Sequence, residues 1–233
     1  MNRENFLLSL SRIVKEERVV NCRFKSNTYI LIYAMDENVW LVDPGDVQAV
    51  FHWMQENDKK NVSGILLTHA HFDHLYGIND VLEKFPQCPV YVANEYGKTL
   101  LFDPRKNSSY YALIDDIVIF EDADVRVYDS SLSLWPGVML NVFHTPGHSD
   151  DSVCLQVENL LFTGDTLIYN LRTVTKLRGG DTLKLKESLE TLQSLSGKGL
   201  HVFPGHGEEF ELDGYDLRKA VNGPSLRFKK EII

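Results

Sequence analysis

Hydrophobic and polar positions along the chain follow two different periods. Short apolar runs rich in β-branched and aromatic residues predict strands. These runs cover residues 28–34, 39–42, 64–67, 90–93, 138–143, 153–157, 160–162 and 201–203. Apolar residues spaced three or four apart predict helices over 46–55, 75–85 and 184–195. A short helix or strand is expected within the first 20 residues, where charged and apolar residues alternate.

The mixture of strand types predicts an α/β fold built from layers. The near-continuous apolar runs at 64–67 and 90–93 favour a sheet covered by helices, whereas the stretch from about 118 to 162 favours antiparallel meanders. The chain contains no internal repeat and no Gly/Ser linker, and its 233 residues are within the range of one large domain. We therefore predict a single domain over residues 1–233.

Composition narrows the possible partners. The chain has 24 Lys and Arg against 33 Asp and Glu, a formal net charge of −9, which argues against a nucleic-acid partner. No apolar run is long enough to cross a bilayer, and the N-terminal residues lack the unbroken apolar stretch of a signal peptide. The three cysteines have no paired spacing. We expect a cytoplasmic protein that acts on a small molecule and has no membrane partner, and the oligomeric state stays open.

The histidines are concentrated after predicted strands. The strand at 64–67 runs into His69-Ala-His71-Phe-Asp73-His74. In an extended segment, His69 and His71 leave the same side and can share one ion, while Asp73 and His74 fall where the chain turns and can face a second. The loop therefore indicates a metal site.

Three later loops repeat this arrangement of strand, glycine turn and ligand. They are Thr-Pro-Gly-His148-Ser, Thr-Gly-Asp165-Thr and Pro-Gly-His206-Gly. The combined candidate ligands are His69, His71, Asp73, His74, His148, Asp165 and His206. This set is too large for one tetrahedral zinc and suits two ions that share a bridging carboxylate. The other three histidines, His52, His144 and His201, are expected to be surface or structural residues.

These motifs, with Asn27-Thr-Tyr and Val-Asp43-Pro-Gly, resemble the metallo-β-lactamase superfamily from about Asn27 to His206. The resemblance implies a four-layer αβ/βα sandwich with the metal centre at the edge between two sheets. It also implies a role for each ligand: His69, His71 and His148 for the first ion, Asp73, His74 and His206 for the second, Asp165 as the bridge, and Asp43 as an acceptor that orients a ligand histidine.

Within this superfamily, the motifs are most similar to glyoxalase II-like hydrolases, including related thioesterases and lactonases. A bridging Asp165 and the lack of a cysteine in any motif argue against a β-lactam substrate. Glyoxalase II also has a helical C-terminal domain that binds glutathione, and only 27 residues follow His206 in this chain of 233. We expect that domain to be missing, so S-lactoylglutathione is not assigned as the substrate.

The resemblance implies a hydrolase in which two divalent cations activate a water that attacks the carbonyl of a small thioester, ester or lactone. Zinc is the first expectation, and imidazole and carboxylate ligands also suit iron and manganese. Asp73 and Asp165 are the expected catalytic carboxylates. Tyr169 and Arg172, which follow Asp165, are candidate substrate contacts, with simple packing and solvation as the alternative.

Two other functions stay open. A persulfide dioxygenase would use one iron on a subset of the same positions. A catalytically silent scaffold would keep the metal ligands behind a blocked cleft.

Overall fold

Two six-stranded sheets form the centre of the protein. The structure is a computed structural model that describes residues 14–34, 36–112 and 116–225. Sheet one contains β1 (Val14–Val20), β2 (Asn27–Tyr33), β3 (Asn38–Val42), β4 (Asn61–Leu66), β5 (Val90–Val92) and β6 (Val125–Val127), in that order. Sheet two contains β7 (Ser131–Trp135), β8 (Val138–His144), β9 (Val153–Val157), β10 (Leu160–Gly164), β11 (His201–Pro204) and β12 (Phe210–Glu211).

Five α-helices lie among the described residues. They are α1 (Val47–Glu56), α2 (Ile78–Lys84), α3 (Glu95–Leu101), α4 (Thr182–Gln193) and α5 (Lys219–Asn222). Two short 3-10 helices, Phe72–His74 and Ser109–Ala112, lie in the loops.

Successive residues of a strand point alternately into the core between the two sheets and into a core between a sheet and its helices. Tyr29 and Leu31 of β2 belong to a cluster with Phe162 of β10, so this core lies between the sheets. Ile30, the residue between them, belongs to a second cluster that contains the buried faces of α1 and α2. Leu161 of β10 packs with the apolar face of α4 in a third cluster. The layers are therefore helix, sheet, sheet and helix, and the predicted α/β sandwich is confirmed.

Strand directions agree with the predicted mixture in most places. β3, β4, β5 and β6 run parallel, while β1, β2 and β3 are antiparallel. In sheet two only β10 and β11 are parallel. The antiparallel meander predicted from about 118 is confirmed only from β7 onward, since β6 joins sheet one parallel to β5. A short apolar strand does not reveal its partner, which here lies more than 30 residues earlier in the chain.

The predicted helices agree with the structure except at their ends. α1 and α4 each lie within two residues of the predicted bounds, and Asp181 caps α4 by accepting hydrogen bonds from the backbone of Leu183 and Lys184. The helix predicted from residue 75 begins only at Ile78, because the chain first forms a 3-10 turn at Phe72–His74. The short helix or strand expected within the first 20 residues is a strand, β1, which begins at Val14. Residues 1–13 lie outside the described residues.

The carboxyl ends of five strands meet at one edge of the sandwich. The parallel strands β3 and β4 end there in sheet one, and the parallel strands β10 and β11 end there in sheet two. β8 points the same way as β10, because both are antiparallel to β9. Backbone hydrogen bonds join the sheets at this edge, from Val153 to Thr68 (2.8 Å) and from Asn27 to Gly205 (2.7 Å). The loops that follow these strands therefore converge.

In the part of the chain that the structure describes, no helix has both the length and the apolar character needed to span a bilayer.

Replacing Phe162 with alanine should lower the free energy of unfolding by about 3–5 kcal/mol, because the fully buried ring packs on Tyr29 and Phe203. Urea denaturation with a chelator present measures this without a contribution from metal binding. Met139→Ala is the control, since Met139 is 47% exposed, and should change stability by no more than about 0.5 kcal/mol. Equal effects of the two substitutions would contradict the assignment of the central core.

Candidate metal centre

The strand ends bring the candidate ligands into two clusters. His69 and His71 from the loop after β4 meet His148 from the loop after β8. Asp73 and His74 from the same β4 loop meet His206 from the loop after β11. Within each cluster, the potential ligand atoms lie within 4.8 Å of one another. Each cluster is therefore compact enough for its side chains to contact one ion.

Asp165 lies between the two clusters. Its Oδ2 atom is 3.8 Å from Nε2 of His148 in the first cluster and 3.7 Å from Nε2 of His206 in the second. Its Oδ1 atom is 3.6 Å from Nε2 of His74. One carboxylate thus faces ligand nitrogens of both clusters, as a bridging ligand must.

Four of the five histidines are held by a partner at Nδ1, which leaves Nε2 for the centre. The Nδ1 atoms of His148 and His206 donate to the backbone carbonyls of Val174 (2.8 Å) and Lys25 (3.0 Å). The corresponding partners of His69 and His74 are Thr68 Oγ1 (3.1 Å) and Asp43 Oδ2 (3.1 Å). Partners of this kind fix the tautomer and the orientation of metal-binding imidazoles. The fifth, His71, instead turns its Nδ1 atom toward Nε2 of His148, at 2.8 Å.

Asp43 connects the two strand ends in sheet one. The residue follows β3 with a φ of 50°, a conformation that aspartate tolerates better than most residues. Its Oδ1 atom accepts the backbone N–H of Thr68 at 2.8 Å, and its Oδ2 atom accepts the Thr68 hydroxyl at 2.6 Å. The same Oδ2 atom contacts His74. Asp43 therefore orients His74 directly and His69 through Thr68.

Two histidines of the first cluster, His69 and His71, are neutral at pH 7. Burial, together with repulsion from neighbouring imidazoles, lowers the pKa of His71 to about 3 and that of His69 well below its usual value. Burial also acts against a charge on His74, but the carboxylates of Asp73 and Asp43 outweigh it and raise the pKa of His74 to about 10. His74 of the second cluster is thus protonated at pH 7 when no cation competes for it.

The second cluster is an array of opposite charges. Despite burial, Asp165 and Asp73 raise the pKa of His206. The pKa values of both carboxyls are lowered in turn, chiefly by His74 for Asp73 and by His206 for Asp165. These carboxylates stay ionised in a nearly dry site, and such a site favours cations.

The donor set fits metal ions. Nε2 of His69 and His74 and Oδ1 of Asp165 are buried and have no hydrogen-bond partner among the described residues. Buried polar atoms in folded proteins are nearly always paired. Imidazole nitrogens and carboxylate oxygens at these distances are the usual ligands of zinc and iron. The two clusters can therefore hold two metal ions.

Because Gly205 has no side chain, the side chains of His74 and Asp165 can pack directly against it. A Cβ atom at this position would lie 2.7 Å from the His74 ring and closer still to the Asp165 carboxylate. Both contacts are shorter than real Cβ atoms show. The glycine of Pro-Gly-His206 is therefore required by close packing against the ligands.

The two candidate substrate contacts, Tyr169 and Arg172, lie outside both clusters. Tyr169 is 42% exposed and packs on Phe210 and Tyr215, and the Arg172 guanidinium donates to the Ser225 hydroxyl. Neither residue contacts a ligand histidine in a described interaction, so their role as substrate contacts stays a prediction.

The three other histidines are outside both clusters. His52 pairs with Glu56 on the exposed face of α1, His144 is exposed at the end of β8, and His201 pairs with Glu211.

Comparison with known proteins decides the family. The family model described as the metallo-β-lactamase superfamily matches residues 23–206, which include every candidate ligand of both clusters. The chain belongs to the metallo-β-lactamase superfamily. The resemblance deduced from the motifs is thereby confirmed.

Two curated relatives illustrate the range of the superfamily members it matches. A hydroxyacylglutathione hydrolase of Hydrogenovibrio crunogenus is 31% identical over 74% of this chain, but the chain spans only 55% of that protein's length. The probable metallo-hydrolase YqgX of Bacillus subtilis is 34% identical over 87% of this chain and 95% of its own length.

Two solved structures share the fold. The BLEG-1 B3 metallo-β-lactamase superposes with a TM-score of 0.76 at 31% identity, covering 85% of this chain and 94% of the other. TTHA1623 in a di-iron-bound form superposes with a TM-score of 0.70 at 28% identity, covering 84% and 94%.

Zinc binding at pH 7 should release at least one proton, because the pKa of His74 of about 10 leaves its imidazole protonated and a ligand must be neutral. The raised pKa of His206 acts in the same direction. Above about pH 10, His74 is already neutral and its contribution disappears. Calorimetric titration in buffers of different ionisation enthalpy measures the number of protons, and identical heats in all buffers would contradict the assignment.

Gly205→Ala should lower zinc affinity by at least about 10-fold, because the added methyl displaces Asp165 and His74. Competition with a chromogenic chelator measures the affinity. Gly137→Asn is a suitable control, since nothing lies within 4 Å of that position and asparagine tolerates its positive φ. Wild-type affinity in the Gly205 variant would show that the ligands do not bind where the structure brings them together.

Proposed function

We propose that the protein is a dinuclear metal-dependent hydrolase that cleaves a small thioester, ester or lactone. One observation carries the proposal, namely that Asp165 lies between two complete ligand clusters. A protein that used one ion would not need the second set of nitrogens and carboxylates. Membership of the superfamily supports hydrolysis as the reaction class.

The proposed ligand assignment follows the two clusters. His69, His71 and His148 would hold the first ion, Asp73, His74 and His206 the second, and Asp165 would bridge them. Divalent cations bound there would polarise a substrate carbonyl and lower the pKa of a nucleophilic water toward neutrality. The chain then needs no serine or cysteine nucleophile.

The carboxylates are the parts of the site that reach solvent. The side chains of Asp73 and Asp165 are 15% and 14% exposed, whereas His74, His148 and His206 are at most 4% exposed. A substrate that approaches from solvent would meet these two carboxylates first. Asp73 and Asp165 are therefore the proposed catalytic groups, which orient the attacking water and accept its proton.

Arg172 is the proposed contact for an anionic part of the substrate. It lines a cavity of about 390 Å³ together with Lys176 and Val174. The carbonyl of Val174 accepts the Nδ1–H of His148, so the cavity lies beside a ligand of the first cluster. Arg172 has no carboxylate partner among the described ion pairs, and its charge is thus available to a ligand. Tyr169 is proposed as a weaker contact from the neighbouring exposed surface.

The relatives support different details of the proposal. The hydroxyacylglutathione hydrolase supports a thioester substrate, but only over the part of its length that this chain spans. The di-iron form of TTHA1623 supports iron as an alternative to zinc. The likeness to BLEG-1 makes a β-lactam a necessary member of any substrate panel, although Asp165 favours the thioester class.

Turnover of a substrate panel by the metal-loaded protein tests this function. The panel contains S-lactoylglutathione, an acyl-CoA, an aliphatic lactone, a cephalosporin and glutathione persulfide with oxygen detection, and metal content is measured on the same sample. We expect two metal ions per chain and highest kcat/KM on a thioester, an ester or a lactone. Asp165→Asn should lower kcat by at least about 100-fold. The control Asp122→Asn, at an exposed aspartate, should leave kcat unchanged.

Three outcomes would contradict the proposal. Oxygen uptake with one iron per chain would indicate a dioxygenase. Cephalosporin cleavage alone would indicate a β-lactamase. Two bound ions without turnover of any panel member would indicate a scaffold.

A further inference from the structure

The turn that follows His148 carries two adjacent aspartates with opposite orientations. Asp150 is exposed and forms an ion pair with Lys184 of α4 at 2.7 Å. Asp151 is 1% exposed and points into the protein. It takes part in no described ion pair, and its Oδ1 atom has no hydrogen-bond partner among the described residues. A buried carboxyl group in such surroundings destabilises the fold unless its hydrogen bonds compensate.

Asp151 accepts a hydrogen bond from the backbone of another loop, the one that carries the candidate ligands His69 and His71. Its Oδ2 atom accepts the backbone N–H of Ala70 at 2.8 Å. Ala70 stands between His69 and His71, so both imidazoles extend from residues directly next to this hydrogen bond. Asp151 itself lies three residues after His148. A single side chain thus connects the two loops that supply the first cluster.

We propose that Asp151 is a positioning residue for the three-histidine cluster, holding His148 against His69 and His71 through the backbone of Ala70. The ring centres of these histidines are only 4.7–4.8 Å apart, and His71 Nδ1 approaches His148 Nε2 to 2.8 Å. This hydrogen bond joins one pair of the three rings and does not hold His69. The surrounding backbone must therefore keep the three rings together, and Asp151 supplies that restraint.

Neighbouring contacts make the restraint rigid. Val153, two residues after Asp151, donates its backbone N–H to the carbonyl of Thr68 at 2.8 Å, so the same two loops are joined a second time. On the other side, Asp151 faces Gly97 of α3, where a Cβ would make an ordinary van der Waals contact with the Asp151 side chain at 3.4 Å. The loop that carries Asp151 is thus held beside the His69–His71 loop at two points.

The second cluster offers an internal comparison. Its ligands Asp73, His74 and His206 are oriented by Asp43 and by the backbone of Lys25, and none of these contacts involves Asp151. Loss of Asp151 should therefore weaken the first cluster selectively. A general loss of stability would weaken both clusters alike.

The experiment measures zinc affinity by chelator competition in two backgrounds that isolate the clusters. His206→Ala removes a ligand of the second cluster, and His71→Ala removes one of the first. We expect Asp151→Ala to weaken zinc binding by at least about 10-fold in the His206→Ala background, and by less than about 3-fold in the His71→Ala background. Asp150→Ala, the neighbouring control, should change neither affinity by more than about 3-fold.

A conservative variant tests the hydrogen bond itself. Asp151→Asn keeps an oxygen that can accept from Ala70, so its zinc affinity and the hydrogen-exchange protection of the Ala70 amide should match the wild type. This variant also keeps the test decisive if Asp151→Ala does not fold. Equal weakening of both clusters by Asp151→Ala, no weakening of the first, or a 10-fold loss in Asp151→Asn would each overturn the role.

The inference rests on the proposed metal centre, and the two can fail separately. A wild-type protein that binds no metal would refute the centre. A wild-type protein that binds two ions, with a first cluster indifferent to Asp151→Ala, would refute only the role of Asp151.

Discussion

The carboxylate of Asp43 is the contact on which the ligand geometry in sheet one depends. It joins the ends of two parallel strands by accepting from the backbone and the hydroxyl of Thr68, and it contacts His74 from the same oxygen. The residue adopts a left-handed backbone conformation, so the chain turns sharply as it leaves β3. The carboxylate that follows this turn lies against Thr68 at the end of β4. Strand pairing, turn conformation and ligand orientation are therefore parts of one local structure.

Charge explains why the two clusters differ. The first contains only imidazoles, and burial lowers the pKa values of His69 and His71 and keeps these two neutral. The second contains carboxylates, which raise the pKa values of its histidines and so favour their protonated forms when no metal competes. Protons and metal ions thus compensate the same negative charge. The negative charges of the site aspartates are therefore compensated within the site. They do not contribute to the acidic surface that the composition suggests.

The convergence of the candidate ligands could be predicted because they are side chains with characteristic spacing. The loops after β4, β8, β10 and β11 each combine a strand, a glycine turn and a ligand, and these signals are local. The partners of His148 and His206 could not be predicted, since both are backbone carbonyls and have no signature in the sequence. Asp150 and Asp151 form an acidic pair typical of a surface turn, and only the packing reveals that one of them is buried. The parallel pairing of β6 with β5 was likewise beyond local pattern.

The ligands of each cluster come from both sheets. Sheet one contributes two residues to each cluster, from the single loop after β4, and sheet two contributes His148 to one and His206 to the other. Neither sheet alone presents three ligands of one cluster. An ion bound at either position would connect the two sheets. The complete set of ligands for that ion would exist only after the two halves of the chain had packed together. Metal binding at the centre would then require that the whole sandwich has folded. The metal would thus couple folding to catalysis.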